Sequence, residues 1–194
     1  MSAPRLLALD ARWERLSASR QAHCVRVADL ALDLAAAHGE DPHFLYLAGL
    51  YHDLARELQP DDLRTEARRQ GWPVDRYEWE APILLHGPVA GGWARDAGLP
   101  LPFAAAIWWH TTAHPELDRA GRILFIADGV EPGRGAYPGR EDLHALAFSD
   151  LTGAYRGVLA STLAYLQQRG LTPHPRLLAA HEAAMRTADG RGVQ

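Results

Sequence analysis

Residues 45–53 read LYLAGLYHD, an apolar run with helical character that ends in the adjacent pair His52 and Asp53. A buried carboxylate costs a large free energy unless it is paired with a cation or coordinates a metal. A core helix therefore has no use for a His-Asp pair at its end unless something binds there. The run predicts a buried helix and, at its carboxyl end, a binding site.

Around this run the chain is predicted to be all-α and to form a single folded domain. Gly and Pro punctuate apolar patterns with three- and four-residue spacing, and strand-like alternation is never sustained. The domain is expected over residues 19–186, after an N-terminal extension or short helix at 1–18 and before a disordered tail at 187–194. Ser19 is expected to cap the helix that Gly39 ends. The predicted helices cover about 6–16, 20–38, 42–52, 60–71, 88–97, 102–110, 122–130, 150–169 and the segment from 175 onward, with irregular segments at 72–82 and 135–139.

The composition of the 194 residues is that of a globular protein, with 47% hydrophobic and 23% charged residues. The net charge of -4 gives no indication of nonspecific nucleic-acid binding. A lone cysteine, Cys24, excludes an internal disulfide framework and fits a reducing compartment. The first residues lack the apolar segment of a signal peptide, and no apolar run is long enough to span a membrane. We therefore expect a cytoplasmic protein that binds neither nucleic acid nor membrane.

Six side chains are candidate metal ligands, because each is predicted on an inward helix face or at the end of an apolar helix. In chain order they are His23, His52, Asp53, His86, His110 and Asp128. His23, for example, shares a helix face with Val27 and Leu30. Four imidazoles and two carboxylates in one core would be strongly destabilising without a cation. Five other histidines are expected at the surface, and the position of His114 is left open; the five are His38, His43, His144, His174 and His181.

Imidazole nitrogens and carboxylate oxygens suit iron, manganese, zinc or cobalt, and the absence of thiolates argues against a structural zinc site. Six ligands are too many for one metal that keeps an open position, so they favour two ions bridged by Asp53. We expect one ion to bind His23, His52 and Asp128, and the other to bind His86 and His110. Two such ions are a template for phosphoryl transfer by attack of a metal-bridged hydroxide.

Three arginines close to these ligands in sequence are candidate phosphate contacts. Arg20 precedes His23 by three residues, Arg56 follows Asp53 by three, and Arg134 follows the helix that carries Asp128. A guanidinium binds phosphate through a planar, bidentate fork. For each of the three, an ordinary surface position is the open alternative. The hydroxyls at the neighbouring positions Thr111 and Thr112 are expected to add donors to the substrate.

Five segments, taken in order, resemble the HD-domain phosphohydrolases and, within them, the bacterial YqeK group. They are RQAH at 20–23, LYHDLA at 50–55, LLHGPV at 84–89, WHTT at 109–112 and IADGVEPGR at 126–134. A His-Asp pair alone is a weak signal, whereas the ordered series is a strong one. The resemblance covers residues 20–134, and the helical pattern continues similarly to about residue 180.

The resemblance implies an all-helical HD domain over 19–186 and a centre of two divalent or mixed-valent metal ions, with iron favoured and manganese open. It implies symmetrical hydrolysis of diadenosine tetraphosphate to two ADP, with Asp53 and Arg56 in catalytic positions. A small-molecule nucleotide is then the partner, and a homodimer is left open. The family commonly has Lys at the position of Arg56. Arginine keeps the positive charge but cannot readily give up a proton.

Two other readings remain open from the sequence. The same centre would serve another nucleotidase or phosphodiesterase of the HD superfamily. A nucleotide-binding sensor with an idle HD site is the non-catalytic alternative. Candidates at all six ligand positions argue against the sensor, because a missing ligand would have favoured it.

Overall fold

The computed structural model describes residues 6–135 and 137–189, and these residues form helices and no strand. The prediction of an all-α fold is confirmed. The helices, after a 3-10 turn at Leu7–Leu9, are α1 (Asp10–Trp13), α2 (Ala18–His38), α3 (Pro42–Tyr51), α4 (Pro60–Arg69), α5 (Arg76–Glu80), α6 (His86–Asp96), α7 (Leu101–Trp109), α8 (Arg119–Val130), α9 (Arg140–Ala147), α10 (Leu151–Gln168) and α11 (Pro175–Asp189). A second 3-10 turn, Pro82–Leu85, leads directly into α6. Within these ranges no helix is long and apolar enough to cross a bilayer.

The ends of α2 and α3 follow from local capping. The Ser17 side chain, and not Ser19 as predicted, accepts a hydrogen bond from the Arg20 backbone N–H and caps α2. Gly39 ends this helix with a φ of 70°, a left-handed conformation that is cheap for glycine. The Asp41 side chain caps α3, and Pro42 stands in its first turn, where a missing N–H costs nothing.

Helices α2 and α3 pack against each other at very short range. A Cβ atom added at Gly49 would lie 2.6 Å from the Cα of Ala28, so only glycine permits this approach. The surrounding side chains of Val27, Leu45 and Leu50 are buried in the main core. The close contact brings the carboxyl end of α3, which carries His52 and Asp53, against the face of α2 that carries His23.

Two short helices depart from the sequence prediction. Helix α5 lies within the segment predicted to be irregular, where Asp75 and Glu78 form a capping box. Helix α9 occupies residues that were assigned no element. The last helix extends to Asp189, three residues into the predicted tail. Residues 1–5 of the predicted extension and 190–194 of the tail lie outside the described residues.

Candidate metal centre

The six predicted ligands come from five helices that meet in the core. His23 lies on α2, and His52 and Asp53 directly follow α3. His86 is the first residue of α6, His110 directly follows α7, and Asp128 lies near the end of α8. Three of the four imidazoles are at most 4% exposed, and His23 is partly buried. The fold therefore brings together side chains that are far apart in the chain.

Asp53 lies between two groups of imidazoles. Its Oδ1 atom is 3.0 Å from His86 Nε2 and 3.6 Å from His110 Nε2. Its Oδ2 atom is 3.5 Å from His52 Nε2 and 3.8 Å from His23 Nε2. Each carboxylate oxygen thus faces a different pair of imidazoles, which is the arrangement that a bridging ligand needs.

Asp128 completes the group on the Oδ2 side. Its Oδ1 atom is 3.2 Å from His23 Nε2 and 3.8 Å from His52 Nε2. We call His23, His52 and Asp128 the first ligand group, and His86 and His110 the second, with Asp53 shared between them. Within each group the donor atoms are close enough together to hold one metal ion.

Each of the four histidines uses its Nδ1 atom in a hydrogen bond that leaves Nε2 pointing into the centre. The acceptors are Gly49 O for His52 (2.7 Å), Ile107 O for His110 (2.8 Å), Ile83 O for His86, and a Glu131 carboxylate oxygen for His23 (3.1 Å). An imidazole that donates from Nδ1 presents a lone pair at Nε2, and this is the usual geometry of a metal-binding histidine. The hydrogen bonds therefore select the tautomer that binds metal.

The inward nitrogen atoms would repel one another in the absence of a cation. His86 Nε2 lies 3.0 Å from His110 Nε2, and both atoms present lone pairs once the Nδ1 atoms donate. His52 Nε2 is fully buried and has no hydrogen-bond partner among the described residues. Buried polar atoms without partners are rare and costly. Divalent metal ions fit these donor sets, and they would satisfy all of these atoms.

The pKa shifts of the ligand groups point in different directions. Burial lowers the pKa of His52 to about 4, so this imidazole is neutral, as metal ligation requires. Burial by itself would lower the pKa of His23 too, but the carboxylates of Asp128 and Glu131 outweigh it and raise this pKa above its usual value. Burial by itself would raise the pKa of Asp53, but protonated forms of the surrounding imidazoles, His52 first, hold it well below its usual range. With the imidazoles neutral, the guanidinium of Arg20 at 2.6 Å still pairs with this carboxylate.

The centre opens into a cleft of about 480 Å³ that all three predicted arginines line. Arg20 Nη1 donates to Asp53 Oδ2 at 2.6 Å, and Arg134 Nη1 donates to Asp128 Oδ1 at 2.6 Å. These two arginines therefore contact the carboxylates of the centre, which the sequence did not predict. The side chain of Arg56 is partly exposed and makes no ion pair with any described residue.

The structure separates the two predicted threonines. Thr111 lines the cleft, with Oγ1 3.3 Å from both His86 Nε2 and His110 Nε2. Thr112 is 3% exposed, and its hydroxyl donates to Ala113 O at 3.2 Å. The expectation that Thr112 contacts substrate is therefore not supported, because its side chain turns away from the cleft.

Two neighbours of the centre were not recognised in the sequence. Glu131 is 1% exposed and binds both His23 and Arg26. Cys24 lies beside His52 and Asp53, with the three donor atoms within 4.8 Å of one another. Burial raises the pKa of the Cys24 thiol well above its usual range, so it stays protonated. Glu131 lies 108 residues from His23, and no local pattern could have joined them.

Comparison with known proteins identifies the fold and the family. The HD domain family model matches residues 20–133. The chain belongs to the HD domain family. The resemblance to its phosphohydrolases is confirmed, and the six predicted ligands of the centre described above all lie within the matched residues.

Two relatives of the chain carry the same name, symmetrical bis(5'-nucleosyl)-tetraphosphatase. The protein from Halalkalibacterium halodurans is 31% identical over 86% of this chain and 89% of its own. The protein from Bacillus subtilis is 27% identical over 84% of this chain and 87% of its own. This HD-domain phosphohydrolase is thus similar over most of its length to enzymes of one named activity.

A solved structure resembles the whole fold. It is the crystal structure of a predicted HD superfamily hydrolase involved in NAD metabolism from Clostridium acetobutylicum, with 26% sequence identity and a TM-score of 0.86. The match covers 93% of this chain and 96% of that protein. The helices that carry the centre therefore belong to a fold shared along most of the chain.

Proposed function

We propose that this enzyme hydrolyses diadenosine tetraphosphate symmetrically to two molecules of ADP at a centre of two divalent metal ions. The observation that carries the proposal is the position of Asp53, whose two carboxylate oxygens face two separate imidazole pairs at 3.0–3.8 Å. The names of the relatives in Halalkalibacterium halodurans and Bacillus subtilis supply the substrate.

His23, His52 and Asp128 would hold one ion, His86 and His110 the other, and Asp53 both. The donor set of imidazole and carboxylate suits iron, manganese, zinc or cobalt, and the resemblance to the YqeK group favours iron among them, with manganese as the alternative. When bound, two such ions supply a nucleophilic water at neutral pH and stabilise the negative charge that develops on the reacting phosphate. The remaining work, which is to bind and align the polyphosphate chain, falls to residues of the cleft.

Three guanidinium groups would hold the polyphosphate. Arg56 lines the cleft and is free of ion pairs with the described residues, so its charge is available to a phosphate. Arg20 and Arg134 each donate through Nη1 to a carboxylate of the centre, and a guanidinium has five N–H donors in all. Their positions suit phosphates bound directly above the metal ligands. Thr111 adds a hydroxyl at the second ligand group.

Part of the cleft lining is less polar and suits an adenine ring. Phe125, Gly129 and Val158 line the same cleft, with Thr162 at its side. An apolar wall beside a cluster of cationic donors is the combination that a nucleotide requires, since the base is stacked and the phosphates are paired. One ADP portion would be held in this way, and the other would lie toward the open side as the leaving group.

The cleavage pattern tests the proposal. Water attacks one of the two central phosphorus atoms, the bridging P–O bond between them breaks, and each ADP leaves with two phosphates. We expect chromatography of the products to show ADP as the only nucleotide. In heavy-oxygen water, one label should enter one ADP of each pair, because a single water is consumed. AMP together with ATP would contradict cleavage at the centre of the polyphosphate chain, even if hydrolysis depended on metal.

A further inference from the structure

We infer that Glu131 is a positioning residue that makes the first ligand group the tighter metal site. It also connects this group to the turn at residues 131–134, which carries Arg134. The inference rests on the proposed function, because it assigns a role toward metal ions bound by His23 and Asp128. Glu131 is among the residues that line the cleft, but both of its oxygens are committed to His23, Arg26 and Gly133. It acts through the side chains that it holds.

Glu131 stands at the carboxyl end of α8 and is almost fully buried, with 1% of its surface exposed. One oxygen, Oε1, accepts from His23 Nδ1 at 3.1 Å and from Arg26 Nη2 at 3.2 Å. The other, Oε2, accepts from Arg26 Nε at 2.6 Å and from the Gly133 backbone N–H at 2.5 Å. Both oxygens are therefore used, and each joins α2 to the end of α8.

The four histidines differ in one respect, and this difference singles out His23. His52, His86 and His110 donate their Nδ1 hydrogen to neutral backbone carbonyls. Only His23, among these four, donates to an ionised side chain. A carboxylate partner fixes the ring orientation and makes the opposite nitrogen a stronger donor to a metal. Because His23 lies in the first ligand group, the two groups should differ in metal affinity.

The same carboxylate holds the turn that carries Arg134. A Cβ atom added at Gly133 would lie 2.2 Å from Arg26 Nε, so the turn packs directly against the Arg26–Glu131 ion pair. The next residue, Arg134, donates to both the backbone and the side-chain oxygen of Asp128 at 2.6 Å. Glu131 thus links two ligands of the first group, His23 by direct contact and Asp128 through the turn.

The test measures metal binding separately from activity. Metal-free wild-type protein, Glu131→Gln and Glu78→Gln are titrated anaerobically with Mn²⁺ and followed by electron paramagnetic resonance of the free ion. Glutamine keeps the shape and can still accept from His23, so it would rescue a merely structural role. Glu78 is a matched control, because it is also buried and paired with an arginine, Arg176, but lies outside the centre.

We expect wild-type protein to bind two ions, and Glu131→Gln to bind one of them 10–100-fold more weakly, the usual effect of losing an outer partner of a ligand. The other binding step, and both steps in Glu78→Gln, should stay within about twofold of wild type. If Glu131→Gln fails to fold by circular dichroism, Glu131→Asp replaces it. Aspartate keeps the charge but withdraws the carboxylate by one methylene, and the same single step should weaken.

The outcomes separate this inference from the proposed function. Wild-type protein that binds two Mn²⁺ and releases ADP, combined with unchanged binding in Glu131→Gln, would overturn the role of Glu131 alone. Equal weakening of both steps would also overturn it, because the effect would then be a general loss of structure. Wild-type protein that binds no Mn²⁺ would overturn the proposed function together with the inference.

Discussion

Two clusters of acids and histidines lie in this protein, and they offset the free-energy cost of burying polar groups in different ways. The metal centre gathers four imidazoles and two carboxylates, and its Nε2 atoms point at one another. The second cluster, which we call the α5–α11 cluster, consists of Asp75, Glu78, His174 and Arg176. By residue type and spacing, Asp75, Glu78 and His174 could also hold a metal.

The α5–α11 cluster satisfies its own polar groups. His174 Nε2 pairs with Asp75 Oδ2 at 2.9 Å, and its Nδ1 accepts from the Arg176 backbone N–H at 3.1 Å. Glu78, which is 0% exposed, receives Arg176 Nη1 at 2.6 Å and Trp72 Nε1 at 3.2 Å. Both ring nitrogens of His174 are therefore occupied, and neither is left for an ion.

The difference lies in what each cluster leaves unpaired. In the α5–α11 cluster an arginine pairs with both carboxylates, and the assembly joins the start of α11 to α5. In the metal centre, His52 Nε2 has no hydrogen-bond partner among the described residues, and the lone pairs of His86 and His110 face each other. Converging lone pairs, and not the number of acids and histidines, distinguish a site for a cation from a structural ion network.

The largest expected effect comes from the bridge. Asp53→Ala removes the ligand shared by both groups, so turnover should fall by more than the ~10²–10³-fold that the loss of one preorganised donor costs. Metal content should fall as well, measured by elemental analysis of the purified protein. Asp75→Ala is the matched control in the other cluster and should keep both metal and activity. Equal metal loss in the two variants would abolish the distinction between the clusters.

Variants of Arg56 test whether substrate turnover uses a guanidinium that forms no ion pair with the described carboxylates. Arg56→Ala should cost about 2–4 kcal/mol of transition-state stabilisation, measured as kcat/KM for diadenosine tetraphosphate. Arg56→Lys should retain most activity, because the charge remains although the bidentate fork is lost. Arg95, which pairs with Asp96 at 2.8 Å outside the cleft, supplies the control Arg95→Ala. Unchanged kinetics in Arg56→Ala would exclude a role for this guanidinium.

The α5–α11 cluster should respond in stability and not in chemistry. Glu78→Ala removes the acceptor of Arg176 Nη1 and Trp72 Nε1, and we expect a loss of about 2–3 kcal/mol in the free energy of unfolding. The value lies below the ~3–5 kcal/mol of a broken buried pair because Arg176 keeps its ion pair with Asp75 and some contact with water. Urea unfolding measures the loss, and kcat/KM below the transition should match wild type. A variant of normal stability but low activity would reverse the assignment of this cluster.

The smallest expected kinetic effect distinguishes the hydroxyls of two adjacent threonines. Thr111→Val removes a donor 3.3 Å from two inward nitrogens, and the loss of one hydrogen bond should lower kcat/KM about tenfold. Thr112→Val changes a buried hydroxyl that faces Ala113 O, so kinetics should stay within about twofold of wild type. Steady-state rates with both variants, measured at the same metal loading, decide the point. A larger kinetic loss in Thr112→Val would contradict the structure.

The convergence of the six candidate ligands could be predicted from the sequence because each lies on an inward helix face or at the end of an apolar helix. His52 and Asp53 close an apolar run, and Asp128 stands alone in an apolar helix, so periodicity alone places them inward. Partners of these ligands could not be found in the same way. The contact of Glu131 with His23 and that of Arg20 with Asp53 depend on how helices pack, and no local pattern records this.

The burial of one histidine and the choice of one helix cap also depended on contacts between distant parts of the chain. His174 was expected at the surface because it lies in a polar segment, yet it is 5% exposed. Its burial follows from the pairing with Asp75, 99 residues away. Ser17 replaces Ser19 as the cap of α2 because Glu57, from another part of the chain, accepts hydrogen bonds from both the backbone and the hydroxyl of Ser17. Local propensity offered two serines, and a tertiary contact selected one.

The order of the ligands along the chain also affects when the enzyme can acquire its metal during synthesis. A nascent chain grows at about 5–20 residues per second, N-terminus first. His86, His110 and Asp53 are all present once residue 110 has emerged, but the first ligand group lacks Asp128 until α8 is made. Glu131, which accepts the hydrogen bond of His23, emerges later still. No growing chain shorter than 128 residues holds both proposed ligand groups, so under the proposed two-metal assignment complete loading would follow the synthesis of α8.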